Sequence, residues 1–257
     1  MTVQRTAPPD PAGRIRRIAV VNSNSSAVVT EQLADTVAPE LLPGTVADFL
    51  NPAAGPAGID TLLDVAVSGA ETALLVRALR DDYDAFVVAC GNDPGLAAAR
   101  SVTDRPVVGI AEAGFLQACA LGDTFSVAVL APGKAAAMRA LVRSYGLDGR
   151  LASIVAADSS SGAAAADADA LLAQLVAACE ANADGLGDAL VLTGSVMGRV
   201  APALAEAIGR PVVSGLLAGV RSAEHLAELH RGGAPGAAVP AAATTQTSPT
   251  RAEQEPQ

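Results

Sequence analysis

Cys90 stands where a thiol can do chemistry. The run Asp84-Ala85-Phe86-Val87-Val88-Ala89-Cys90-Gly91-Asn92-Asp93-Pro94-Gly95 reads as a buried strand that ends in the thiol and breaks into a glycine-rich turn. Consecutive apolar residues without alternation suit a strand covered on both faces, as in a parallel α/β sheet. Ligands of such sheets bind beyond the carboxyl ends of the strands, where Cys90 to Asp93 fall. A thiol there can act as general acid, base or nucleophile once its thiolate forms. Free cysteine ionises near ~8.5, and a helix beginning after Pro94-Gly95, with the turn's free amides, would favour the thiolate. As packing alone, Cys90 is a small buried hydrophobe, since free cysteine is among the most buried residue types.

A second stretch gives that position a counterpart. Asp188-Ala189-Leu190-Val191-Leu192-Thr193-Gly194-Ser195 lines up with the first without gaps, setting Gly194 opposite Cys90 and Ser195 opposite Gly91. Arg105-Pro106-Val107-Val108-Gly109 reappears as Arg210-Pro211-Val212-Val213-Ser214, and Arg17-Ile18-Ala19-Val20-Val21 is matched with Phe125-Ser126-Val127-Ala128-Val129. Three matched segments in one order indicate a duplicated α/β unit. If the halves face each other, Cys90 and the Gly194-Ser195 turn share one cleft. The hydroxyl of Ser195 then has two readings, as a donor to an oxyanion or as the cap of the following helix.

A third polar cluster, Asn22-Ser23-Asn24-Ser25-Ser26, follows the first strand. Ser25 or Ser26 can cap the next helix, and the free amides there suit a carboxylate; a plain polar turn is the other reading.

The elements that must position these residues follow from patterning. A chain of 257 residues with 51% apolar content, mainly Ala, Val and Leu, can bury a sizeable α/β core. Only 2% of residues are aromatic, so no platform exists for stacking bases. The net charge of -10 and pI near 4.6 argue against nucleic acid and anionic membranes as partners. No apolar run reaches the roughly 18 residues of a membrane helix, and Pro8, Pro9 and Pro11 interrupt any signal-peptide core, so a cytoplasmic location is expected. Three widely spaced cysteines fit a reducing compartment, with Cys119 and Cys179 as helical core fillers. With no CxxC, HExxH or carboxylate-histidine cluster, no metal is expected. His225 and His230 fall on the last helix, away from the strand ends.

In chain order, residues 1–13 read as a disordered arm, 14–121 as a first α/β subdomain, 122–231 as a second, and 232–257 as a disordered tail rich in Gly, Pro, Ala, Thr and Gln. Strands are expected over 14–21, 44–50, 84–90, 106–110, 125–130, 151–156, 188–194 and 211–214. Helices are expected over 59–80, 96–101, 112–121, 134–145, 163–181, 200–208 and through His230. The loop 158–162 reads as a connector. The fold class is thus α/β: two pseudo-symmetric subdomains, each a mostly parallel sheet of about four strands flanked by helices, with a cleft between them. The strand ends at Asn22, Cys90, Leu130 and Thr193 should face it.

An ordered set of motifs carries a family resemblance. Asn22 to Thr30, Gly55-Pro-Ala-Gly-Ile-Asp60, Ala89-Cys90-Gly-Asn-Asp93-Pro94-Gly95-Leu96 and Pro106-Val-Val-Gly-Ile-Ala-Glu112-Ala, continued by Phe125-Ser126-Val127, Tyr145-Gly-Leu and Met197, resemble the aspartate/glutamate racemase superfamily, in particular its hydantoin racemase branch. The likeness spans residues 16–230 or so. It implies cofactor-independent chemistry at a carbon next to a carbonyl or carboxylate, on a small carboxylate or cyclic ureide, and it allows a homo-oligomer. In that family a cysteine stands at each strand end, and the pair works on opposite faces of the substrate. Here the first is Cys90, while Gly194 takes the place of the second and Ser195 is the nearest hydroxyl. Where the family commonly has carboxylate-binding threonines, this chain has Ala128-Val129-Leu130.

Three functions follow: an isomerase or racemase, a single-cysteine decarboxylase or lyase such as the related arylmalonate decarboxylases, and a non-catalytic homologue that binds a small ligand. Cys90 is the candidate catalytic residue. Asn24, Ser25, Gly91, Asn92, Asp93, Thr193, Gly194 and Ser195 are the candidate substrate-binding residues.

Overall fold

The structure, a computed structural model, describes residues 2–7 and 15–232. One sheet contains β1 (Thr2–Thr6), β2 (Arg16–Val21), β3 (Thr45–Leu50), β4 (Ala85–Val88) and β5 (Val107–Gly109), in the order β1-β3-β2-β4-β5. The other contains β6 (Phe125–Val129), β7 (Leu151–Ala156), β8 (Ala189–Leu192) and β9 (Val212–Ser214), in the order β7-β6-β8-β9. All pairings are parallel except β1 with β3. This is the expected α/β fold of two mostly parallel sheets. Every residue of β4, β6 and β8 is buried, as unbroken apolar strands require.

The repeat is visible in hydrogen bonds. Asp84 accepts from the Arg17 N–H at 2.7 Å and Asp188 from the Thr124 N–H at 2.9 Å, each fastening the start of a central strand to its neighbour. Phe86 and Leu190 donate to the carbonyls of Pro106 and Pro211, both at 2.9 Å, so the two Arg-Pro motifs mark equivalent sheet positions. Ile18 pairs with Ala85 and Phe125 with Ala189. Ile18 is therefore the counterpart of Phe125, a shift of one residue from the sequence match that set Arg17 there.

Between the strands run α1 (Ala27–Val37), α2 (Leu62–Leu79), α3 (Leu96–Arg100), α4 (Ile110–Cys119), α5 (Ala135–Ser144), α6 (Ser161–Ala166), α7 (Ala168–Glu180), α8 (Ala201–Ile208) and α9 (Gly215–Gly232). The single helix expected over 163–181 is two, because Asp167 is extended (φ −133°, ψ 102°) and its carboxylate caps α7 at the Ala170 N–H, 2.9 Å away. No helix among the described residues is long and apolar enough to cross a membrane.

One expectation about boundaries is corrected. Thr2–Thr6 are a strand rather than an arm: they pair antiparallel with β3 from Thr2↔Leu50 to Thr6↔Val46, and Gln4 donates to Asp48 at 2.9 Å. Threonine and valine alternating with polar residues suit such an edge position. Residues 8–14, and the expected tail beyond Gly232, lie outside the described residues. The cut at 121/122 falls between the two sheets, and the helices pack across it. α4 closes the first half in sequence yet reaches β6, β8 and β9, whereas α9 lies on β2, β4 and β5 and packs along α4. The two subdomains thus exchange their last helices, and one apolar cluster runs from Ile18 and Val87 through Ile110 to Val191 and Leu216.

Glycines make the exchange possible. A Cβ on Gly114 would come within 2.9 Å of Val191 and 3.1 Å of Gly215, and one on Gly219 within 2.9 Å of Ile110 and 3.4 Å of Val87, the counterpart of Val191. At Gly215 a Cβ would meet the Ile110 carbonyl oxygen at 2.6 Å, a backbone atom that cannot swing aside. Gly215→Ala should accordingly cost roughly 1–3 kcal/mol, the usual penalty of overpacking, and lower the melting temperature. Gly133→Ala, with nothing within 4 Å of the new methyl, should leave it within about ±0.5 kcal/mol.

Candidate active site

Each central strand delivers a loop to one cleft. β4 ends at Val88, and Cys90 opens a turn closed by the Asp93 N–H donating to the Cys90 carbonyl at 2.9 Å. Asp93 has φ 44°, the left-handed conformation that aspartate tolerates. Its carboxylate accepts from the N–H groups of Ala111 at 3.0 Å and Glu112 at 2.9 Å and from the Tyr145 hydroxyl at 2.7 Å. The Cys90 turn is thereby fastened to the start of α4 and the end of α5. Only glycine fits at 109, since a Cβ there would sit 2.4 Å from that carboxyl carbon. Burial pushes Asp93 up to about 6 against these three donors.

In the second half β8 ends at Leu192, and a turn over Ser195–Val200 follows Gly194. This turn meets the first one directly. A Cβ on Gly91 would be 2.6 Å from the Thr193 carbonyl oxygen and 3.1 Å from the Gly194 nitrogen. Cys90, Gly91, Asn92, Thr193, Gly194 and Ser195 consequently line a single cavity. Asn24 joins them from the loop after β2. Its Oδ1 accepts from Asn22 Nδ2 and the Ser26 N–H, both at 2.9 Å, while its Nδ2 has no partner among the described residues. Buried Asn22, expected at the cleft itself, instead braces this loop by donating to Asn24, the Ser26 carbonyl and Thr30.

Two candidate substrate-binding residues lie elsewhere. Asp93 is consumed by α4 and Tyr145 as described. Ser25 donates to the Gly55 carbonyl at 3.1 Å, and it is Ser26 that caps α1 by accepting from the Val29 N–H at 3.4 Å. Ser195 makes no capping bond to the turn it opens, and it lines the cavity. Leu130 also lines the cavity. His225 and His230 are exposed on α9.

Sequence reasoning missed Lys134, Ser161 and Ile59, which line the same cavity. Lys134 was assigned to the start of a helix and Ser161 to a connector. The signal for Lys134 was its place, just after Pro132-Gly133 at the carboxyl end of β6, where the fold collects ligands. Apolar Val29, Ala89, Val129, Met138, Val196 and Met197 complete the wall, and none of the described residues lining it is a carboxylate.

Cys90 is partly exposed to this cavity. Burial pushes its thiol up to about 11, and nearby Asp93 adds to this. The backbone N–H groups of Asn92 and Gly91 and the charge of Lys134 pull the other way. The amides act as anticipated, but desolvation outweighs them. A thiol raised this far holds its proton at neutral pH.

The description "Asp/Glu/Hydantoin racemase" belongs to the family model that matches residues 18–223. A hydantoin racemase of Paenarthrobacter aurescens is 38% identical over 216 residues, covering 83% of this chain and 92% of that one. Among solved structures, an allantoin racemase from Klebsiella pneumoniae has a TM-score of 0.78 at 31% identity, covering 83% of this chain and 88% of that one. An allantoin racemase from Pseudomonas fluorescens has a TM-score of 0.79 at 27% identity, covering 83% and 91%.

The raised thiol can be read directly. Only thiolate is alkylated, so below the folded value of about 11 the rate at Cys90 with iodoacetamide should climb about tenfold per pH unit, and should level off only near there. Site-resolved mass spectrometry separates Cys90 from Cys119 and Cys179. A plateau at or below pH 8.5 would show that the amides and Lys134 outweigh burial.

Proposed function

The chain belongs to the Asp/Glu/hydantoin racemase family, and from that premise we propose that it is a cofactor-independent isomerase acting at the carbon next to a carbonyl of a hydantoin-type ring, with Cys90 as its acid/base on one face. The observation that carries this reading is the meeting of the Cys90 turn with the Thr193–Ser195 turn across one cavity. A planar ring between them would expose one face to the sulfur. The α-hydrogen passes to the thiolate, the C–H electron pair becomes the π bond of an enolate, and the charge moves to the carbonyl oxygen. In this reading Asn24 Nδ2, Asn92 and the hydroxyls of Thr193 and Ser195 bind ring carbonyls and N–H groups, the role expected of a few polar groups in a mostly apolar wall.

Gly194 favours a second reading. With no thiol on the opposite face, and with Cys90 held protonated, the site suits a single proton donor that quenches an enolate from one side, as a decarboxylase requires. Incubation in deuterated buffer discriminates between them. Racemisation of a 5-substituted hydantoin places deuterium in both enantiomers, decarboxylation of a malonate-type acid gives one labelled enantiomer, and a protein that only binds does neither. Cys90→Ala should abolish either turnover, and full retention would sink the thiol mechanism.

Restoring a second thiol is feasible. Gly194 has φ −69° and ψ 127°, open to any residue, and the nearest atoms to a Cβ there belong to the flexible side chain of Met197, with Cε at 2.9 Å. Gly194→Cys should create or raise racemisation on the order of 10²- to 10⁴-fold, the usual contribution of a positioned acid/base. A folded variant with unchanged racemisation would show that position 194 does not face the substrate.

A further inference from the structure

Lys134 crosses the cleft. It leaves the second half after β6 and donates to the Ile59 carbonyl at 3.2 Å and Asp60 Oδ1 at 2.8 Å, both on the turn before α2 in the first half. An ammonium carries three N–H donors. Two are spent, and the third has no partner among the described residues, while Lys134 is one of the residues that line the cavity. Among the described residues lining that wall, Lys134 and Cys90 are the titratable ones. The lysine side chain is one quarter exposed, whereas Asp60 is mostly in solvent. Lys134 lines the cavity, and its partner Asp60 does not.

Resting on the isomerase reading above, we propose that Lys134 holds the negative charge of the ligand, binding the carbonyl or carboxylate oxygen that becomes anionic when the α-hydrogen leaves. In that step Cys90, having lost its proton to solvent, forms an S–H bond with the α-hydrogen. The C–H pair forms C=C, the carbonyl π pair moves onto oxygen, and Lys134 keeps its own proton throughout. Return of a proton to carbon reverses the flow. This assigns the site a preference for ligands with an anionic or enolisable oxygen, because the wall itself offers that oxygen no second cation. The field of Lys134 already reaches the sulfur, where it opposes Asp93, and it reaches Asp64 at the start of α2.

The test does not depend on knowing the substrate. Pyrrole-2-carboxylate, a planar anion, should protect Cys90 of the full-length protein from iodoacetamide better than the neutral pyrrole-2-carboxamide. In Lys134→Met the advantage of the anion should disappear, a weakening of roughly ten- to a hundredfold for a charge-assisted hydrogen bond, and Lys134→Arg should restore most of it. The alkylation profile of Cys90 in Lys134→Met should move to higher pH, a change that loss of a mere structural strap would not cause. On a 5-alkyl hydantoin, Lys134→Met should lower kcat for deuterium exchange far more than it raises KM. Equal protection by acid and amide in the wild type, or an undiminished anion preference in Lys134→Met, overturns the assignment. If the wild type exchanges no hydantoin yet loses anion protection with Lys134, the isomerase reading fails and the anion site stands.

Discussion

Two close approaches of backbone against backbone hold the halves of the molecule in place. Gly91 lies against the Thr193–Gly194 peptide with no space for a side chain, and Gly215 lies against the carbonyl of Ile110 in the same way. The first contact brings the two strand-end turns together, and the second lets α4 and α9 change places so that each covers the other half's sheet. Close packing turns both into positional constraints, because an interior at this density has no slack to absorb a shifted turn. The cavity is what remains where the two halves cannot touch.

Within that frame Asp93 acts as the joint. One carboxylate receives two amides at the start of α4 and the hydroxyl of Tyr145 at the end of α5, and Tyr145 in turn lies beside Phe115, which stacks on Phe125. The turn bearing Cys90 is thus tied to both halves at once. Buried acceptors held by three donors are worth keeping only where position matters, since loss of any partner leaves an unsatisfied group. Burial raises the thiol most and the same carboxylate adds to it, so precision of placement and ease of ionisation oppose each other at Cys90.

Much of this was legible in the residues. The unbroken runs of β4 and β8, the repeated Arg-Pro pair and the polar cluster after β2 give the duplicated α/β unit and place Asn24, Cys90, Gly91, Asn92, Thr193, Gly194 and Ser195 at strand ends, where the cavity has them. What was not legible is tertiary. A carboxylate beside a thiol reads as a ligand group until the amides of a helix eighteen residues further along consume it, as happens to Asp93. Thr2–Thr6 is too short, and too close to a proline cluster, to declare itself as a strand without β3 beside it. Asp167 is hidden in an alanine run that has helical propensity on both sides. The helix exchange leaves no periodicity of its own, because the apolar face of α4 looks the same whichever sheet it covers.

The exchange of α4 and α9 also bears on how the two halves can differ. Two identical chains trading helices about a two-fold axis would carry the same residue at both strand ends, and any substitution there would strike both faces of the ligand together. Joined as Arg16–Gly109 and Phe125–Ser214 in one polypeptide, the halves keep the geometry of a dimer without its symmetry of composition. A thiol can face glycine, and a lysine can reach across from one side alone. Handedness in the chemistry of such a cleft is therefore a property of covalent linkage as much as of fold: only an unequal pair of walls can tell the two faces of a flat molecule apart.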